Sequence, residues 1–252
     1  MSEIFLFVIG VVIIYFGANL LVLGAGKFAR SIGVSPLIIG LTIIGIGTSL
    51  PETVVGVLSG LKKTSEISFG NILGADIFDL CLVIGVSALV RPLIVNVKLV
   101  QREIKWFLAV ILILFLVSID GTINFINGLI LFIFCIIYIL YCYSCAKKEK
   151  KDAEILEKET SEIVTPDKKI GLYLFQTILG LVILILGGEI IVETAVRFVK
   201  TWNLTQEFVG MTLVSFGTAL PEFTTSVVAS FRSEPDISIG NVIGTVIYNT
   251  SA

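Results

Sequence analysis

Apolar residues run through this chain in long stretches, interrupted by short clusters of lysine, arginine and acid. Read as segments of about 20 residues, the length a bilayer requires, they predict eight helical spans. These cover about 4–26, 35–61, 68–90, 103–119, 122–145, 171–196, 206–231 and 238 to the end. The one long polar stretch, 146–169, holds seven lysines and seven acids and reads as a solvated linker with a helical portion. The expected fold class is all-α, a polytopic membrane protein.

The second span contains Gly45-Ile46-Gly47-Thr48-Ser49-Leu50-Pro51-Glu52. It returns 170 residues later as Ser215-Phe216-Gly217-Thr218-Ala219-Leu220-Pro221-Glu222. Aligned without a gap, residues 38–80 and 208–250 agree at 14 of 43 positions, chiefly Gly, Thr, Pro, Glu and Asn. At the same offset Gly17 meets Gly187, Lys27 meets Arg197 and Arg30 meets Lys200. Five predicted spans separate equivalent points, and an odd number turns the second half upside down. Inverted-topology repeats build many secondary transporters, with the site at mid-bilayer between the halves. The expected organisation is a first half 1–145, a linker 146–169 and a second half 170–252 that stops partway through its last span.

Composition agrees with a membrane setting. The 252 residues are 56% apolar and 15% charged, against roughly 25% charged in soluble chains, and mean hydropathy is +1.01. A net charge of −2 gives no cause to expect nucleic-acid binding. The start, Met-Ser-Glu-Ile-Phe, has an acid where a signal peptide carries bases, so no cleaved leader is expected. With the N-terminus outside, the inner side receives Lys27, Arg30, Arg91, Lys98, Arg102, Lys105, the linker lysines and Arg232. That is fourteen basic residues, against Lys62, Lys63, Arg197 and Lys200 outside. The linker is therefore expected in the cytoplasm and the chain in the cell membrane. There is no histidine, so Cys142 and Cys145 read as apolar filling rather than half of a zinc site.

The repeated stretch carries the chemistry. Span 35–61 is about 40 Å long at 1.5 Å per residue, and Glu52 lies just past its middle. A bare carboxylate there costs roughly 2.5–3.5 kcal/mol, so it should face protein or a water-filled cavity. Pro51 cannot donate to the Gly47 carbonyl, Gly45 and Gly47 allow a bend, and the Thr48 and Ser49 hydroxyls can bridge the break. The expected product is a kinked helix presenting carbonyls, hydroxyls and a carboxylate. Hard cations want that oxygen set, and two inverted copies would supply two carboxylates to one site. The third and eighth spans open with Ser68-Phe69-Gly70-Asn71-Ile72-Leu73-Gly74 and Ser238-Ile239-Gly240-Asn241-Val242-Ile243-Gly244, whose glycines allow close packing. Ala75 with Asp79, and Thr245 with Asn249, share a helix face able to line the same cavity. Asp76 lies about 100° from that face, and its repeat equivalent is Val246; an interior position and a cap both remain open for it.

With both repeats laid out, the chain resembles the Ca²⁺/cation antiporter superfamily, most closely prokaryotic sodium/calcium exchangers. The resemblance rests on Gly-Thr-Ser-Leu-Pro-Glu at 47–52, Gly-Thr-Ala-Leu-Pro-Glu at 217–222 and the two Gly-Asn-x-x-Gly segments. It implies five-span inverted repeats, ten spans in all, with Ca²⁺ and Na⁺ competing for overlapping sites during alternating access. Glu52 and Glu222 would be the shared carboxylates, and Thr48 and Thr218 would offer carbonyls to Ca²⁺. Ser49, Gly45 and Ser215 match positions that coordinate Na⁺. Thr245 matches one of a pair of hydroxyl ligands, and Asp79 with Asn249 a polar pair at the centre. No cofactor beyond the transported ions is implied.

Three departures bear on coupling. Ala219 and Ala75 each stand where a hydroxyl is usual. Asp79 and Asn249 exchange the acid and amide between the repeats. The chain ends within the eighth span, as a fragment or a chain completed by another would. A H⁺- or K⁺-coupled Ca²⁺ exchanger is thus an alternative, as is a transport-inactive fragment. An intramembrane aspartyl protease would need paired Asp residues, whereas the duplicated acids are Glu beside Pro.

Overall fold

The computed structural model describes residues 2–61, 65–94, 97–160, 169–201 and 215–252, and every regular element among them is helical. In chain order these are α1 (Ser2–Ser31), α2 (Pro36–Ile39), a π-helical turn (Gly40–Ile44), α3 (Gly45–Thr48) and α4 (Leu50–Leu61). Then come α5 (Ser65–Phe78), a second π-helical turn (Asp79–Val83), α6 (Ile84–Val90), α7 (Val97–Val117) and α8 (Phe125–Thr160). The second half holds α9 (Ile170–Thr201), α10 (Ser215–Thr218), α11 (Leu220–Phe231) and α12 (Pro235–Ser251).

Among the described residues four helical stretches are long and apolar enough to cross a membrane: Val8–Ser31, Phe69–Val90, Phe125–Lys151 and Ile170–Ile190. Pro36–Thr48 with Leu50–Val57, bent by 44°, makes a fifth if the pair is one span. The other expected spans correspond to α7, α11 and α12, which fall short of that measure for visible reasons. Lys98, Arg102, Glu103 and Lys105 load the start of α7, and α11 and α12 have only 12 and 17 residues, α12 being also rich in Ser, Thr and Asn. The beginning of the seventh expected span, 206–214, lies outside the described residues, as do Lys62, Lys63 and the linker portion 161–168. The first part of the linker continues α8 to Thr160 without a break.

The central packing unit is the pair α1 and α9, which meet backbone to backbone. A Cβ on Gly17 would stand 2.6 Å from the Leu184 nitrogen, one on Gly24 2.7 Å from that of Thr177, and one on Gly180 would collide with the Leu21 nitrogen. Small residues allow this approach where apolar lipid offers no other drive to associate. Gly187 meets Ile14 in the same seam, so the Gly17/Gly187 repeat pair has a structural use. A second close contact joins α12 to the first repeat: Cβ atoms on Gly240 and Gly244 would strike the Leu37 and Leu41 carbonyls at 2.6 and 2.5 Å. Gly70 and Gly74 differ from that expectation, since nothing described lies within 4 Å of either. The segment that the repeat pairs with them, 207–211, is outside the described residues.

Buried side chains of α1, α9, α11 and α12 form the core, with Leu21, Val22, Leu184, Ala229 and Ile237 fully enclosed. Outward faces are apolar: Leu116, Leu140, Phe175 and Leu186 are each more than half exposed. That distribution suits a lipid surrounding rather than water.

One end of the bundle is fastened by polar contacts. Arg30 of α1 pairs with Glu234 at 2.9 Å, Arg91 donates to the Ser233 hydroxyl, and Glu149 of α8 accepts the Ser35 backbone N–H at 2.8 Å. The last contact ties the linker helix to the start of α2. Nearby, the buried Glu103 is held by Arg102 at 2.7 Å and Tyr138 at 3.3 Å, among Trp106 and Tyr141. Cys142 is buried beside Tyr138, and Cys145 is partly buried.

Candidate functional site

Each repeated motif is a helix, a one-residue break and a second helix. Ser49 (φ −80°, ψ 3°) separates α3 from α4, and Ala219 (φ −82°, ψ 0°) separates α10 from α11. The two breaks share one backbone conformation because the same local chemistry makes both. Proline follows two residues later, where a helix tolerates its missing N–H, so each carboxylate falls in the first turn of a new helix. A negative charge is favoured there by the unpaired amides of the helix start. The expected kink is therefore present, and its centre is the residue before Leu-Pro-Glu rather than the proline itself.

The Thr48 and Ser49 hydroxyls do not cross the first break as expected but turn back onto the preceding turn, and the bond that crosses it is Thr53 Oγ1 donating to the Ser49 carbonyl at 3.0 Å. Ser49 Oγ donates to the Gly45 carbonyl at 2.7 Å, and Thr48 Oγ1 reaches the Ile44 carbonyl at 3.1 Å. Gly45 also receives the Thr245 hydroxyl from α12 at 3.4 Å, which brings two of the expected site residues together across the repeats. Its carbonyl consequently carries several donors already, including the Ser49 amide at 3.2 Å.

Three acids lie in one buried region. Glu52, Glu222 and Asp79 are all buried, and Glu52 lies within the electrostatic reach of both others. The carboxylates are directed across the repeats: Glu52 toward the Thr218 hydroxyl, Glu222 toward those of Thr48 and Ser49. Among the described residues, no oxygen of Glu52, Glu222 or Asp79, and neither polar atom of the Asn249 amide, makes a well-formed hydrogen bond. Asp79 opens the second π-helical turn, a distortion that re-aims side chains and concentrates at functional sites. Buried carboxylates are costly as charges in a membrane protein's interior unless a cation meets them.

Among the described residues no three His, Cys, Asp or Glu side chains close on a single point suited to a metal ion. A cation here must take part of its shell from hydroxyl and carbonyl oxygens, which Thr48, Ser49, Thr218 and Thr245 can supply. Ser215 begins α10, but its side chain lies outside what is described. Ala75 and Ala219 are both buried against the site and contribute no oxygen. A cavity of about 240 Å³ borders it, lined by Glu52, Thr53, Gly56, Val57 and Asn249.

Two features had no role assigned from the sequence. Asn241, fully buried, accepts from Thr48 Oγ1 at 3.1 Å and donates to Ser226 Oγ at 3.0 Å and the Glu222 carbonyl at 3.3 Å. Its signal was the Gly-Asn-x-x-Gly motif, read only for the glycines. Asp76, left open between interior and cap, is interior: it is buried and accepts the Thr250 hydroxyl at 2.8 Å.

The model of a family described as sodium/calcium exchanger protein matches residues 2–144 and 172–252 and skips the linker. An uncharacterized membrane protein of Methanocaldococcus jannaschii is 34% identical over 241 residues, covering 96% of this chain and 76% of the relative. The sodium/calcium exchanger MaX1 of Methanosarcina acetivorans is 25% identical over 274 residues, covering 96% and 78%. Among solved structures, the sodium/calcium exchanger of Methanococcus jannaschii superposes with a TM-score of 0.83 at 30% identity, over 99% of this chain and 78% of that one. A sodium-calcium exchanger soaked with 2.5 mM Na⁺ and 0.1 mM Ca²⁺ gives 0.85 at 30% identity, over 99% and 79%.

Proposed function

Because this chain belongs to the sodium/calcium exchanger protein family, we infer that it is a secondary-active antiporter, exchanging Ca²⁺ for Na⁺ across a membrane by alternating access. The observation that carries the reading is the crossed arrangement of the motifs, in which each buried glutamate faces the threonine of the other repeat. It is a transporter, and the cations are its cargo.

Glu52 and Glu222 are the carboxylates that Ca²⁺ and Na⁺ share. Thr48, Thr218, Ser49, Gly45, Ser215 and Thr245 complete the oxygen shell, with Asp79 and Asn249 as the polar pair between them. Binding of Ca²⁺ neutralises two charges that otherwise repel in a low-dielectric interior; Na⁺ does so one charge at a time, and the two compete for the same oxygens. Eight spans in two inverted halves, 1–145 and 170–252, suit this chemistry, because exchange of the halves' conformations opens the site to either side. The joining of Arg30, Arg91 and Glu149 with Glu234, Ser233 and Ser35 at one end supports a cytoplasmic linker and an outside N-terminus in the cell membrane.

The test is radiolabelled Ca²⁺ uptake into proteoliposomes with outward gradients of Na⁺, K⁺ or H⁺ imposed separately. Uptake with Na⁺ alone is the expected result, and uptake under none of them overturns the reading. Coupling to K⁺ or H⁺ is the second reading, favoured by the buried Ala75 and Ala219, which remove one hydroxyl from each repeat.

A further inference from the structure

We propose that Asn241 and its repeat equivalent Asn71 are alternating clamps. Asn241 holds the α11–α12 seam shut in the conformation described here, and Asn71 makes the matching bonds across the α4–α5 seam when the other side of the molecule closes. The proposal rests on the exchanger reading with inverted halves and adds two positioning residues to it, neither of them among the cation ligands named above.

From Glu222, α11 presents Ser226 and Ser230 at intervals of four, on one helix face. Both hydroxyls are buried in hydrogen bonds. Ser226 Oγ accepts from the Asn241 amide at 3.0 Å and donates to the Ser238 carbonyl at 3.4 Å. Ser230 Oγ lies 3.1 Å from the Ser226 carbonyl and 3.4 Å from Ser238 Oγ. With Thr48 bound to the Asn241 oxygen, polar contacts lead from the central site toward the turn that carries Glu234. Ser226, Ser230, Ser238 and Asn241 are each at most 1% exposed. This seam is shut.

The first repeat has the same register and a different filling. Gly56 and Gly60 follow Glu52 where Ser226 and Ser230 follow Glu222. Gly56 lines the cavity of about 240 Å³ beside Glu52, Gly60 lines a further cavity of about 600 Å³, and Ile72, next to Asn71, lines both. Asn71 is 4% exposed, and among the described residues neither polar atom of its amide has a hydrogen-bond partner. A buried amide without partners is rare in a folded protein and calls for a reason. In a cycle that exchanges the conformations of two inverted halves, the reason is that its partners belong to the other conformation. The equivalents of the Asn241 bonds there are the Thr218 hydroxyl, donating to Asn71 Oδ1, and the Glu52 carbonyl, accepting from its Nδ2. Positions 56 and 60 offer no hydroxyls to replace those of Ser226 and Ser230, so the α4–α5 clamp is the weaker one. The protein therefore favours the conformation with α11–α12 shut, by on the order of fivefold for each hydrogen bond that the glycines omit.

The experiment compares thermal unfolding, hydrogen–deuterium exchange and Ca²⁺ uptake of the full chain with those of three variants, unfolding and exchange being measured in detergent without Ca²⁺. Asn71→Ala is expected to melt at or above the wild-type temperature, since it breaks no bond in the favoured conformation. It should take up Ca²⁺ on the order of fivefold more slowly. Asn241→Ala should melt lower, an asymmetry between two equivalent residues. Ser226→Ala combined with Ser230→Ala should speed exchange in 222–241 and slow it in 52–71, because weakening one seam populates closure of the other. Equal destabilisation by Asn71→Ala and Asn241→Ala overturns the proposal, as does exchange that changes in 222–241 alone or a wild-type uptake rate in Asn71→Ala. Absence of Ca²⁺ uptake from wild type refutes the exchanger reading instead, and unfolding and exchange then still decide the clamp.

Discussion

The Thr48 hydroxyl donates to the Asn241 side-chain oxygen across 3.1 Å and 193 residues of sequence. Asn241 spends its own N–H donors on Ser226 and the Glu222 carbonyl. One buried amide thus connects the break of the first motif to the carboxylate-bearing turn of the second. Asn241→Ala should cost about 1–3 kcal/mol, the range for stranding buried hydrogen-bonding groups. It should also lower the maximal Ca²⁺ uptake rate, because Thr48 and Glu222 lose their common reference. Thermal unfolding in detergent and uptake kinetics check the two effects; unchanged values in both would remove Asn241 from the site's support.

Glu52→Gln and Glu222→Gln are each expected to abolish Ca²⁺ uptake while leaving a monodisperse, folded protein. Each substitution keeps the side chain's shape and removes one of two buried, mutually repelling charges, so thermal stability without Ca²⁺ should hold or rise. Uptake and size-exclusion profiles provide the check. Persistent uptake in either variant sinks the assignment of that carboxylate.

The α1–α9 seam makes a contrasting stability prediction. Gly17→Val places side-chain atoms where the Leu184 backbone already stands, and overpacking of this kind costs typically about 1–3 kcal/mol or more. Gly85 on α6 has nothing within 4 Å of a would-be Cβ, so Gly85→Ala should be neutral or stabilise by up to about 1 kcal/mol through helix propensity. Melting temperatures of the two variants should move in opposite directions or differ clearly. Equal shifts would show that the seam is looser than described.

The Arg30–Glu234 pair joins α1 to the turn before α12, with the arginine side chain 55% exposed. Exposed pairs contribute little after screening, so Arg30→Ala should change stability by less than about 1 kcal/mol. That small change should shrink further at high salt. A loss of several kcal/mol in chemical denaturation would mean that the contact holds more than its own charge.

Much of the site was legible in the sequence because its local geometry is made by covalent constraints acting within a turn. Pro51 and Pro221 lack an N–H whatever surrounds them, so the breaks at Ser49 and Ala219 follow from the motif, dihedral for dihedral. The hydroxyl bonds of Thr48 and Ser49 also stay within one turn, but they fall on carbonyls before the break instead of spanning it. The proline misled only on position, since the helix restarts before it rather than bending at it.

Sequence alone determined that this is a helical membrane protein with a duplicated, carboxylate-bearing break, because periodicity, apolar length and proline chemistry do not depend on distant partners. Only the tertiary structure decided that Glu52 faces Thr218, that Asn241 links both motifs, and that Asp76 turns inward to Thr250. It also decided that two π-helical turns, one beginning at Asp79, re-aim the helices of the first repeat. These are outcomes of packing between helices far apart in sequence, where backbones meet at Gly40, Gly240 and Gly244. A side chain's own identity carries no record of what is pressed against it.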